Sequence, residues 1–284
     1  MSHSGPDKVS LIHKTHPILR RGANLSFPVA AACWVDLLGY GEMIAKGAYC
    51  PTKQSAVRAT KRLRQFHEAV ASKSMRHFPT LVMNDGAVVY RDLSFRNKSV
   101  TFDFLNRCWD LFLTIQKYDR GNPGARMVIA AGFRVRGRRS GLDATAGQFK
   151  SLLDRYKNGY LDANQALHEA VRIKPVFDVI PQLQANYAFT KAYVAEQGGS
   201  RSGLGGPRCY VDRIFFEDTL PSWMEVDREI DWKNERLKLQ ATFLQIRSVN
   251  HPTNVHAGVR DALTIATRLT GDPNILRQLR TAER

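Results

Sequence analysis

Val29-Ala-Ala-Ala-Cys-Trp-Val-Asp-Leu-Leu-Gly-Tyr-Gly41 is the stretch that decides how the chain is read. Seven apolar residues run from Val29 to Val35, too few for a typical helix and right for a buried strand. The run ends on Asp36, and Gly39 and Gly41 punctuate a turn behind it. A carboxylate at the end of a buried strand, beside a glycine turn that opens a helix, suits two roles. It can cap the helix, or it can face a phosphate held by the backbone N–H groups of the turn.

Working outward, Gln54 to His77 reads as a helix, with Val57, Leu63, Phe66 and Val70 near helical spacing and Arg/Lys on the other face. Leu81 to Tyr90 places Asn84-Asp85-Gly86 between two apolar arms, a hairpin signal because Asn, Asp and Gly tolerate positive φ. Thr101 to Tyr118 is a second amphipathic helix, stopped by Gly121-Asn-Pro-Gly124, and Ala125 to Val135 is a strand. Strand, helix, hairpin, helix, strand predicts an α/β (α+β) sheet with helices packed on it.

Gly137 to Val171 reads as a polar helical insertion, Phe177 to Glu196 as a helix, and Arg208 to Phe215 as a strand behind the loop Gly198 to Gly206. Two further helical patterns follow, over Asn234 to Val249 and Val255 to Leu269, with Trp223 and Trp232 as packing anchors. The expected organisation is an N-terminal arm (1–28), a main domain (29–216, with the insertion at about 138–175) and a C-terminal helical extension (217–284).

If the strand and the hairpin lie side by side, Asp36 and Asp85 converge. Two carboxylates are the hard oxygen donors that Mg²⁺ or Mn²⁺ prefer, the remaining positions going to water and phosphate. Separately, each has a plainer reading: Asp36 as a cap, Asp85 as a turn residue.

Four segments in order carry a resemblance. Cys33-Trp-Val-Asp-Leu-Leu-Gly-Tyr40 resembles the F-x-D-[IL]-x-G-[FY] segment of class III adenylyl and guanylyl cyclases and of stand-alone bacterial relatives with an "FIDILGF" start. Asn84-Asp85-Gly86 is similar to the hairpin of the family's second metal aspartate, and Gly124 to Gly132 to its R-x-G-I-x-x-G strand. Asn186-Tyr-Ala-Phe-Thr-Lys-Ala-Tyr193 with Pro207 to Asp212 resembles the later helix and strand.

The resemblance, spanning Val29 to Asp212, implies a ferredoxin-like cyclase core acting as a homodimer. A nucleoside triphosphate would become a 3′,5′-cyclic nucleotide and pyrophosphate, in a bacterial signalling or antiphage-defence setting. It implies Asp36 and Asp85 as ligands of Mg²⁺ or Mn²⁺, and backbone at Leu37, Leu38, Gly39, Tyr40 and Gly41 as the phosphate cradle. The family's transition-state pair is an Asn with an Arg four residues on. Asn186 matches the first, but Thr190 stands at the second, leaving Lys191 beside it as the substitute charge. That departure keeps a second reading open, a cyclase-like nucleotide sensor without turnover.

Composition sets the outer bounds. The 284 residues carry 43% hydrophobic side chains, enough for a sizeable core. Cys33, Cys50, Cys108 and Cys209 form no CxxC pair, and the eight histidines form no HExxH, which disfavours a disulfide framework and a zinc site. No apolar run reaches a membrane span and Met1 to Asp7 is polar, so the expectation is a cytoplasmic protein without membrane contact. The formal charge of +16 favours polyanionic partners. Nucleotides satisfy this, and nucleic acid on the same scaffold is a third reading, though no nucleic-acid-binding motif accompanies the charge.

Overall fold

Along Val29–Leu37 (β1) successive side chains leave opposite faces, and both faces are apolar, so this strand must lie mid-sheet with packing on each side. In the computed structural model, which describes residues 27–135, 144–173, 180, 182–250 and 258–282, it does. It pairs antiparallel with β3 (Gly86–Asp92) on one edge and with β4 (Ala125–Phe133) on the other. Helix α1 (Tyr40–Lys46) follows it directly, and α2 (Gln54–Lys73) leads into β2 (Thr80–Met83). A two-residue turn, Asn84-Asp85, joins β2 to β3, with Asn84 at φ 55°. Helix α3 (Lys98–Tyr118), capped by the Asn97 side chain on Ser99 N–H, returns the chain to β4.

The order β2-β3-β1-β4, antiparallel throughout, is the ferredoxin-like split β-α-β arrangement the sequence predicts. Val29, Ala31, Cys33, Val35 and Leu37 face α2 and α3, where Phe66, Phe104, Leu111 and Ile115 fill the core. The opposite face of β1 and β4 receives α6 (Tyr187–Gly198), whose Ala188 meets Ala30 and Ala32. Gly132 allows that approach: a Cβ there would lie 2.6 Å from the Ala188 nitrogen.

The sheet continues through β5 (Cys209–Asp212), parallel to β4, and then β7 (Leu239–Val249) and β6 (Met224–Asn234), giving seven strands in the order β2-β3-β1-β4-β5-β7-β6. Here the structure corrects the sequence. The segment Asn234 to Val249, expected to be helical, is the turn and second strand of a hairpin. Leu244 and Ile246, which also fit helical spacing with neighbouring Leu239 and Phe243, sit on the core face with an alternation of two. Phe243 points the other way, edge-on to Trp232 at 5.8 Å. The turn carries no Asp-Gly or Asn-Gly; Lys238 adopts φ 51° and Asn234 Oδ1 accepts from Leu237 N–H. Of the expected C-terminal helices, α7 (Ala262–Leu269) and α8 (Pro273–Ala282) are present, and α7 packs Ile265 and Ala266 into the core.

A second correction concerns the helix expected from Phe177: α6 starts only at Tyr187, because Asn186 caps it and Gln182 to Ala185 form a turn. The described residues of Val135–Ala185 form a compact unit of their own, holding α4 (Ala144–Lys157) and α5 (Ala163–Arg172), the helical insertion; those of Pro28–Arg134 and Asn186–Arg284 form the other. Most of the expected arm and the basic cluster Lys14 to Arg21 lie outside the described residues.

Replacing Gly132 by Ala is expected to cost about 1–3 kcal/mol, as overpacking against fixed backbone does, and to lower the urea midpoint. Gly147→Ala, which meets nothing within 4 Å, leaves the midpoint unchanged or raises it. Equal midpoints for the two variants would show that α6 is not seated directly on β4.

Candidate functional site

Asp36 is the one charged residue of β1, on the face that carries Trp34 and meets α6. Its cross-strand partners are Gly86 on β3 and Arg126 on β4. Directly opposed residues share a face, so the sheet itself sets a guanidinium beside the carboxylate. Asp85 precedes Gly86 at the hairpin tip, and its carbonyl accepts from Leu37 N–H at 3.0 Å, fastening the tip to the end of β1. His67 of α2 meets the Asn84 carbonyl through Nε2 at 3.0 Å, holding the tip from the other side. Asn84 Nδ2 donates to Asp85 Oδ1 at 2.9 Å.

The carboxyl of Asp36 is pushed up to about 7. Burial is the largest cause, followed by the negative charges of Glu196 and Asp85; Arg126 and Arg62 oppose them. Asp36 and Asp85 are thus electrostatic neighbours, and the Tyr40 phenol is raised by burial and then by Asp85 as well. Two repelling carboxylates, one of them largely desolvated, form the donor set that a divalent cation neutralises. Among the described residues no group of three or more His, Cys, Asp or Glu side chains gathers to hold an ion. The set is therefore two carboxylates with the rest open, which fits Mg²⁺ or Mn²⁺ and not a closed structural site.

The turn behind Asp36 is held from below. Arg62 Nε and Nη2 donate to the two oxygens of Asp119 at 2.6 and 2.7 Å, Nη1 donates to the Leu38 carbonyl at 2.8 Å, and Nη2 also to the Gly124 carbonyl at 3.1 Å. Leu38 N–H donates to the same Gly124 carbonyl. Gly39 stands at φ 73°, a left-handed conformation natural to glycine, and starts α1 without a side-chain cap. The first-turn N–H groups of a helix have no intrahelical acceptor, so those of α1 open beside Asp36 and Asp85.

The structure therefore gathers Asp36, Asp85 and Leu37 to Gly41. Asn186 and Lys191 are engaged otherwise. Asn186 Oδ1 accepts from Phe189 N–H at 3.0 Å as the cap of α6, and the Asn186 carbonyl accepts from the Thr190 hydroxyl at 3.1 Å. Lys191 Nζ donates to Asp212 Oδ2 at 2.6 Å in a buried ion pair that ties α6 to β5.

Two residues enter the site that reading the sequence missed. Arg126 donates through Nε to Glu196 Oε1 at 2.9 Å and through Nη2 to the Glu196 carbonyl at 3.1 Å. Glu196 is buried, near the C-terminal end of α6. The signal for Arg126 was its place in β4: an arginine in a strand otherwise almost wholly buried and apolar needs a buried partner.

Neither a protein-family model nor a curated protein sequence matches the chain. Solved structures do match in shape. The guanylyl cyclase Cya2 superposes with a TM-score of 0.50 at 13% identity, covering 81% of this chain and 97% of its own. The adenylyl cyclase CyaB from P. aeruginosa gives 0.48 at 10% identity, over 81% and 98%. The fold is that of a cyclase catalytic domain.

Because folded Asp36 keeps its proton up to about pH 7 while an unfolded Asp releases it near pH 4, its contribution to stability is present at pH 4 and lost as pH rises to 7. In EDTA, the melting temperature of Asp36→Asn relative to wild type should climb between pH 5 and pH 7.5 and level off above. A difference independent of pH would mean that Asp36 titrates normally.

Proposed function

We propose that the chain is a metal-dependent nucleotidyl cyclase, converting a nucleoside triphosphate to a 3′,5′-cyclic nucleotide and pyrophosphate. The observation that carries this is the meeting of Asp36 and Asp85 at the open turn Leu37 to Gly41, on a sheet with the cyclase order of strands. Likeness of fold to the guanylyl cyclase Cya2 supports the reaction class.

In this reading Asp36 and Asp85 hold Mg²⁺ or Mn²⁺, which supplies charge neutralisation at the phosphates and acidifies the attacking hydroxyl. The backbone from Leu38 to Gly41 receives the β- and γ-phosphates through its N–H groups. The ribose 3′-oxygen attacks the α-phosphorus, the bond to the pyrophosphate oxygen breaks in line, and the hydroxyl proton leaves to solvent. Arg126, opposite Asp36, is the guanidinium placed to offset the charge on the leaving group. Asn186 and Lys191 act at one remove, by seating α6 through its cap and its tie to Asp212. A second copy of the chain completes the nucleotide's surroundings, as the family resemblance implies, and the product is a second messenger.

The alternative of a nucleotide sensor draws on one observation: no arginine occupies position 190, and the neighbouring Lys191 is committed to Asp212. One experiment separates them. Purified protein is incubated with each of the four nucleoside triphosphates and Mn²⁺, and products are resolved by chromatography. The cyclase reading expects a cyclic nucleotide and pyrophosphate, and loss of activity by about 100-fold or more in Asp36→Ala, since several kcal/mol of ion-derived stabilisation disappears. Nucleotide-induced thermal stabilisation with no product leaves the sensor; neither response refutes both.

A further inference from the structure

A second cavity, of about 740 Å³, opens where the end of β5, the β6–β7 hairpin, α6 and α7 meet. It shares no lining residue with the carboxylate pair or its turn. Its volume is that of a small-molecule site, and its wall is dominated by charge. Three guanidiniums come together from separate segments: Arg213 just after β5, Arg260 before α7, and Arg268 in α7.

Arg260 is 4% exposed. Its guanidinium is held below its ordinary range by burial first and by the charge of Arg268 next, with Arg213 adding to it; Asp218 and Glu217 act in the opposite direction. Like charges gathered at a desolvated wall are costly unless an anion joins them.

The anion now present is Asp218. A single oxygen, Oδ1, accepts from Arg260 Nη2 at 2.8 Å and from Arg268 Nη2 at 2.9 Å. Yet Asp218 is 85% exposed, so most of its surface remains in water. Arg213 donates to the carbonyls of Phe216, Glu217 and Asp218, so the cation itself pins the segment that carries this carboxylate. Three cations share one carboxylate charge. A group with three terminal oxygens and up to two negative charges matches the guanidinium fork better than one carboxylate oxygen does.

We propose that this cavity binds a small phosphate-bearing ligand, its phosphate on Arg260 and Arg268 where Asp218 now stands in, and any organic part towards Asp231 and Trp232. Asp231 and Thr242 line the same cavity, the Thr242 hydroxyl donating to Asp231 Oδ1 at 2.8 Å. Asp218 is then an internal competitor that sets the affinity. The proposal does not depend on the carboxylate site having any activity.

Calorimetric titration of the full-length chain at low salt, with inorganic phosphate and with AMP in turn, tests it. Arg268 is 48% exposed, so Arg268→Ala keeps the fold and should weaken binding about tenfold, the worth of one charge-assisted contact. Asp218→Asn should tighten binding several-fold, the reverse of what loss of a purely structural ion pair does. AMP bound more tightly than phosphate assigns an organophosphate; equal affinities assign the inorganic ion. No binding of either probe at millimolar concentration, to wild type and Asp218→Asn alike, overturns the proposal, as does binding that both substitutions leave unchanged.

Discussion

The buried Arg62–Asp119 pair is what the candidate site stands on. Arg62 is 3% and Asp119 5% exposed, and each has its hydrogen-bonding capacity taken up. Arg62 reaches both Asp119 oxygens and the carbonyls of Leu38 and Gly124, and Asp119 Oδ2 also accepts from Gly124 N–H. One ion pair thereby joins α2, the C-terminus of α3, the start of β4 and the turn after β1. Removing one partner of such a pair strands a buried charge and costs about 3–5 kcal/mol. Without it the Gly39 turn has no floor, and the spacing between Asp36 and the first turn of α1 is lost. The pair also reaches the chemistry directly, because Arg62 is one of the two cations that restrain the carboxyl of Asp36.

Much of this was legible in the sequence, for a local reason. An unbroken apolar run, an Asn-Asp-Gly turn and two amphipathic helices are short-range signals, and they fix the half of the sheet that holds Asp36 and Asp85. What escaped reading depends on pairing at long range. Arg62 belongs to a helix face that reads as solvated Arg/Lys, and only Asp119, 57 residues on, turns it inward. Arg126 and Glu196 are 70 residues apart and meet only because α6 crosses β4. Leu239–Val249 carries apolar residues compatible with both periods, and its pairing with Met224–Asn234 decides for strand without any turn signal between them. Asn186 shows the opposite lesson: a residue that a family motif marks for catalysis serves here as a helix cap, which Asn does by chemistry alone.

The two ends of the sheet handle charge in contrasting ways. At β1, carboxylates crowd together with Arg126 and Arg62 holding them, an arrangement short of positive charge. At the β5–β7 end, guanidiniums crowd around one exposed aspartate, an arrangement short of negative charge. Both imbalances sit where a chain with a formal charge of +16 could have avoided them by spacing its residues. A cation at the first and a phosphate at the second would relieve each locally, and between them Lys191–Asp212 and Arg126–Glu196 lock α6 over β4 and β5 with internally balanced pairs.

The central claim is that Asp36 and Asp85 act as one unit on a divalent cation. Mn²⁺ binding to wild type, Asp36→Asn, Asp85→Asn and the double variant, followed by calorimetry at pH 8 where Asp36 is ionised, measures this directly. The account expects either single substitution to abolish most of the affinity and the double to lose little more. Retention of wild-type Mn²⁺ affinity by both single variants, or independent additive losses, would contradict it.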